Sequence, residues 1–117
     1  MPRILDLGNC DADHHSIHQM LATLDVELVR AHDAIQAKTL LAQEPFDLVL
    51  VNRIFDRNGD SGIEFIAQLR QQEEAPAAIL ISNLPDAQQQ AESVGAEPGF
   101  GKAQLASPQS LERIKSA

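Results

Sequence analysis

Residues 45–52 read PFDLVLVN, and the run FDLVLV at 46–51 is almost continuously apolar, with only Asp47 interrupting it. A strand with one wet face alternates apolar and polar residues; one covered on both faces does not. The run therefore predicts a central strand sandwiched between helices. Working outward, Ile79, Leu80 and Ile81 form a second such run that ends at Ser82 and Asn83. Weaker strand signals lie at residues 3–7 and 26–30, and a short one surrounds Phe100, flanked by Pro98, Gly99 and Gly101.

Helical periodicity fills the intervals. Ile17, Met20, Leu21 and Leu24 keep the spacing of one buried face, as do Ala34, Ala37 and Leu41, with Asp33 as N-cap and Pro45 beyond the end. Gly62, Phe65, Ile66 and Leu69 mark a third helix. Ala87, Ala91 and Val94 mark a fourth, stopped by Gly95. Ser107-Pro108 opens a fifth as cap and first helical residue, with Leu111 and Ile114 on its apolar side. Alternating strands and helices with short connections give the α/β class: a doubly wound, five-stranded parallel sheet with helices on both faces, as a single domain over residues 1–117. Ligands of such sheets bind outside the carboxyl ends of the strands.

The formal charge is −8, from 9 basic and 17 acidic residues, and there are four Phe with no Trp or Tyr. That composition argues against nucleic acid and anionic membranes as partners, because both require a basic face. Cys10 stands alone, so no internal disulfide forms. No apolar run approaches the ~20 residues of a membrane span and the first residues lack a secretory pattern, so a cytoplasmic location is expected.

PFDLVLVN, the glycine-bearing loop into SGIEFIAQLR, APAAILIS and AESVGAEPGFGK, in that order, resemble the receiver domain of bacterial two-component response regulators, the CheY-like family. The resemblance covers essentially the whole chain and implies the flavodoxin-like strand order 2-1-3-4-5. It implies a pocket where an aspartate accepts a phosphoryl group beside a divalent ion, with a hydroxyl and a lysine contacting the phosphoryl oxygens. The hydroxyl maps to Ser82 and the lysine to Lys102. The phosphoacceptor position holds Asn52, and the metal-binding acidic pair falls on Gly8 and Asn9. An amide cannot form an acyl phosphate, and magnesium prefers carboxylates. The switch aromatic maps to Gly99, Ala103 stands where a proline is common, and the 53–62 loop is about two residues longer than usual. The chain is thus identified as an atypical receiver, a pseudo-receiver without the phosphoacceptor.

Several residues admit two readings. Asn52 either fixes one conformation or is simply hydrogen-bonded at a strand end. Asp56 in the long loop is a possible relocated acceptor. Lys102 can pair with Asp6 or Asp11, bond the Asn52 side-chain oxygen, or reach solvent. Ser82 can satisfy local backbone. His14 and His18 share a helix face and could bind a transition metal, whereas a cap and solvated face is the plainer reading. Asp56-Arg57-Asn58-Gly59-Asp60 opens like a calcium loop, but Ser61 and Ala67 stand where glycine and a bidentate acid are needed, so a turn is expected.

The function expected from the sequence is non-enzymatic: a phosphorylation-independent signalling module acting by protein–protein contact, without cofactor or metal. A sensor kinase or downstream signalling protein is the partner class, and a homodimer is possible. Arg53, Asp56, Arg57 and Asp60 form the candidate interaction loop, with the fourth helix, fifth strand and fifth helix as a second surface. The alternatives are a small-ligand or metal sensor and a phosphotransfer protein using Asp56.

Overall fold

The computed structural model describes residues 2–105 and 107–117. The apolar run at 46–51 feeds strand β3 (Leu48–Asn52), in which all five residues are buried. On either side in sequence lie β1 (Arg3–Leu7), α1 (Asp11–Leu21), β2 (Glu27–Ala31) and α2 (Ala34–Gln43), then α3 (Gly62–Leu69), β4 (Ala77–Ile81), α4 (Pro85–Ser93), β5 (Glu97–Phe100) and α5 (Pro108–Ser116). The strands pair in parallel in the order β2-β1-β3-β4-β5, as the sequence implies.

The period-2 geometry of the strands sorts their side chains between two cores. Leu5, Leu7, Val49, Val51 and Leu80 face α2, α3 and α4, where Ala37, Phe65, Ile66, Leu69, Ala87 and Ala91 meet them. Ile4, Leu48, Leu50, Ile79, Ile81 and Phe100 face α1 and α5 through Ile17, Leu21 and Ile114. Asp6 belongs to this second face by alternation, in the middle of an otherwise aliphatic row.

The caps follow the sequence signals. Asp33, Ser61 and Ser107 accept hydrogen bonds from the backbone N–H groups of Gln36, Glu64 and Ser110, and Pro108 takes the first helical position. Three boundaries differ from expectation. β2 begins one residue late, at Glu27. α1 ends at Leu21, leaving Leu24 outside the helix but still packed on the second core. α4 ends at Ser93, with Val94 as its C-cap; Lys102, expected just beyond the fifth strand, follows β5 in a 3-10 turn, Lys102–Gln104.

Candidate functional site

The carboxyl ends of β1 and β3 meet at the sheet's upper edge. Asn52, 6% exposed, closes β3 there. Its Nδ2 donates to the carbonyl of Gly8 at 3.0 Å and to that of Ile54 at 2.6 Å. Both acceptors are carbonyl oxygens, so only the NH2 end of the amide can face them. Asn52 thereby ties the start of the long loop to the end of β1.

The loop itself folds back over the edge. Ile54 and Ser61 form an antiparallel bridge, and Asp60 N–H donates to Asn58 Oδ1 at 3.0 Å in a turn that puts Gly59 at φ +75°. This is the turn expected of the Asn-Gly-Asp sequence. The Asp56 N–H donates to Gly8 O at 2.9 Å, which draws the loop's first half inward. Phe55 is consequently 1% exposed and stands edge-on to Phe65, with ring centroids 6.2 Å apart. Gly8 has φ +78°, and a Cβ placed there would run into the Phe55 ring. Position 8 is therefore closed to side chains twice over, by its backbone and by the phenyl ring. Asp56 itself is exposed.

Beside Gly8 lies a polar cluster built on a buried acid. Asp6 is fully buried and accepts from Asn9 Nδ2 at 2.5 Å and from His14 Nδ1. Asn9 is 1% exposed, and its Oδ1, like Arg30 Nε, is buried without a partner among the described residues. The first turn of α1 is fastened to the sheet edge by two further pairs: Asp11 with Arg30 of β2 at 2.7 Å and Asp13 with Lys102 at 3.0 Å. Three carboxylates thus meet three bases, one each.

At the β4 end, the Ser82 hydroxyl accepts from Leu84 N–H at 3.2 Å, a local backbone bond. Gln88 of α4 sends its Nε2 into the β4–β5 seam, toward the carbonyls of Leu80 at 2.9 Å, Ser82 at 3.1 Å and Phe100 at 3.3 Å. A Cβ at Gly99 would collide with the Leu80 carbonyl and the Gln88 amide. The glutamine amide fills the room that a side chain at Gly99 would need.

No protein-family model matches the sequence, and no curated protein matches it. Solved structures do. A response regulator from Thermotoga maritima superposes with a TM-score of 0.83 at 20% identity, over 99% of this chain and 96% of its own. The chemotaxis response regulator CheY4 of Vibrio cholerae gives 0.77 at 19% identity, over 97% and 98%. A Burkholderia pseudomallei response regulator, solved with a phosphorylated aspartic acid, a calcium ion and citrate, gives 0.74 at 17% identity, over 99% and 72%. The chain has the receiver fold.

A divalent ion near Gly8, Asn9 and Asn52 would find three of the neighbouring carboxyl groups already paired. The donors at Asn9 and Asn52 turn N–H groups toward acceptors inside the chain, and Phe55 fills the space over Gly8. The nearby acids are engaged: Asp6 by His14 and Asn9, Asp11 by Arg30, Asp13 by Lys102. Among the described residues no group of three or more His, Cys, Asp or Glu gathers as a metal set. Residues Gly8, Asn9 and Asn52 do come together, but Ser82 and Lys102 are turned elsewhere.

Two expectations from the sequence need correcting. Lys102 pairs with neither Asp6 nor Asp11, and not with Asn52; its partner is Asp13, because the 3-10 turn carries the lysine toward the first turn of α1. His14 is only partly solvated: its side chain is 25% exposed, and Nδ1 is held by the buried Asp6. Sequence reading also missed Phe55, Gln88 and the pairing of Asp6 with His14 and Asn9. Phe55 had one available signal: an apolar Ile-Phe pair at the head of an otherwise polar loop.

Burial pushes the Asp6 carboxyl above its ordinary value of 3.8, and the bonds from His14 and Asn9 only partly oppose that. Arg30 acts in the opposite direction on Asp11, holding that exposed carboxyl below 3.8 through its hydrogen bond and charge. The signs predict distinct pH profiles. A raised acid binds its proton more tightly folded than unfolded, so its stabilising share is complete below 3.8 and disappears as pH rises through the folded value. Urea unfolding of the parent and Asp6→Asn, compared from pH 3 upward, is expected to show the parent losing stability relative to the variant over that interval. Parallel profiles would contradict the assignment. Asp11→Asn is expected to do the reverse, its lost pairing mattering above 3.8 and fading as pH falls.

Proposed function

We propose that this chain is a phosphorylation-independent, receiver-like signalling module of two-component type that acts through protein–protein contact. The observation carrying this reading is Asn52, whose amide is spent on the carbonyls of Gly8 and Ile54 where a receiver carries its phosphoacceptor. A neutral, internally bonded amide offers no nucleophile. The pairing of Lys102 with Asp13 supports the same reading, since the cation that would meet a phosphoryl group already has an anion.

The contact surface we assign is the 53–62 loop with the adjoining start of α4. A groove of about 420 Å³ runs between them, lined by Arg53, Ile54, Ile63, Leu84 and Gln90 among others. Ile54 and Leu84 are two of the three large hydrophobic side chains exposed among the described residues. Arg53, Asp86 and Gln90 supply its polar border, while Arg57 of the same loop reaches toward Asp33 at 3.9 Å and Asp56 and Asp60 are exposed. An apolar centre with a charged border suits a protein partner such as a kinase or downstream signalling protein.

The test is intact-mass measurement after incubation with magnesium and acetyl phosphate, with Asp56→Asn alongside. No phosphoryl adduct on either protein is the expected result. An adduct on the parent that disappears in Asp56→Asn would overturn the reading and make Asp56 a relocated acceptor.

A further inference from the structure

The first turn of α1 carries an imidazole whose two nitrogens have different surroundings. His14 Nδ1 is bonded to the Asp6 carboxylate, which is wholly buried and also held by Asn9. Nδ1 therefore carries the hydrogen in the neutral ring, and the lone pair is on Nε2. Nε2 makes no hydrogen bond within the described residues and is not among their buried unpartnered atoms, so it is open to solvent. A carboxylate behind Nδ1 is the arrangement that fixes and strengthens a histidine as a metal ligand through Nε2.

The same helix supplies a second imidazole. His18 is exposed and lies four residues on, within α1 (Asp11–Leu21). Residues four apart are neighbours on a helix surface, and side chains lean toward the N-terminus, which brings His18 back over the turn carrying His14. His15, one position round the helix, has no buried carboxylate bonded to it.

The electrostatics favour a cation over an anion. Around His14 stand Asp6 from β1, Asp11 and Asp13 on α1, Arg30 from β2 and Lys102 from the turn after β5, with His32 near Asp11. Three carboxylates stand against two permanent cations, Arg30 and Lys102, around this imidazole. A phosphate-type ligand is disfavoured there, and magnesium prefers oxygen to imidazole.

We propose that His14 and His18 form a two-imidazole site for a divalent transition metal of the zinc–nickel–copper group, completed by water, with Asp6 as the positioning residue behind His14. This stands apart from the phosphorylation pocket and does not rest on the signalling reading. Binding here adds a ligand-controlled clamp on the first turn of α1, the segment fastened to the sheet edge by Asp11, Asp13 and His14.

Calorimetric titration of the full chain with Zn²⁺, with Mg²⁺ as comparison, tests it. Saturable binding of one Zn²⁺ and none of Mg²⁺ is expected. His18→Gln, an exposed substitution that leaves the core alone, should weaken Zn²⁺ binding about tenfold or more, and Asp6→Asn about 10- to 100-fold. His15→Gln should change it less than about twofold. Nitrogen-15 spectra should show the zinc-induced shift of His14 at Nε2, a signature that a purely structural effect of Asp6→Asn would not produce. The proposal is overturned if Zn²⁺ gives no saturable binding, if His15→Gln weakens binding as much as His18→Gln, or if the shift of His14 is absent.

Discussion

Asn52→Asp, the substitution that restores the chemical type of a phosphoacceptor, is expected to destabilise the domain by about 3–5 kcal/mol, the range found when a buried charge is left uncompensated. The buried amide donates twice, to carbonyl oxygens at 3.0 and 2.6 Å. An ionised carboxylate can donate to neither and instead sets its own oxygen against both. Two donors are lost and a repulsive contact replaces them. Since a domain of this size holds only about 5–15 kcal/mol in total, the variant sits near the edge of folding. The cost should shrink as pH falls, because a protonated carboxyl can donate to one of the two carbonyls, giving the introduced group a raised folded-state value. Urea midpoints of parent and variant at neutral and acid pH measure both parts. A variant as stable as the parent at neutral pH would mean that the Asn52 amide is not what ties the loop to β1.

The contrast with Asp6 shows why the sequence revealed the fold more readily than the site. Continuous apolarity at 46–51 reported burial on two faces, and β3 is buried at every residue. Asp33 and Ser107 announced helix starts because capping is local: donor and acceptor lie three residues apart. The site is made of non-local pairs. Lys102 and Asp13 are far apart in sequence, and no spacing rule links them; the pairing follows from where a short 3-10 turn happens to point. Asp6 in RILDL reads as an ordinary strand residue until alternation puts it on the same face as Ile4 and α1 brings His14 over it. Gln88, first of three glutamines, carries no sequence mark of the slot it fills beside Gly99. The positions where the receiver pattern fails were legible one by one: Gly8, Asn9, Asn52 and Gly99. The residues that stand beside those positions instead were not, because each replacement comes from a different element.

Phe55 is the clearest such replacement, and its removal should have the other large effect. Phe55→Ala is expected to cost about 3–5 kcal/mol, through lost transfer energy and the cavity left behind. Part of that, about 0.5–1.5 kcal/mol, is the edge-on contact with Phe65. The sharper result is its coupling to Gly8. In the parent, Gly8→Ala meets two penalties: a left-handed backbone at φ +78°, worth roughly 1–2 kcal/mol, and overlap of the new methyl with the phenyl ring. In the Phe55→Ala background only the backbone penalty remains, and the methyl takes some of the vacated volume. The double variant should therefore be more stable than the sum of the two single losses implies, by about 1–3 kcal/mol. Urea denaturation of all four proteins closes the cycle. Additive losses would show that the phenyl ring does not occupy the space above Gly8. Given coupling of the expected sign, acids placed together at positions 8, 9 and 52 are expected to leave magnesium affinity little changed. The long loop puts an aromatic ring where a side chain at position 8 must stand, so packing closes that position whatever charge is supplied.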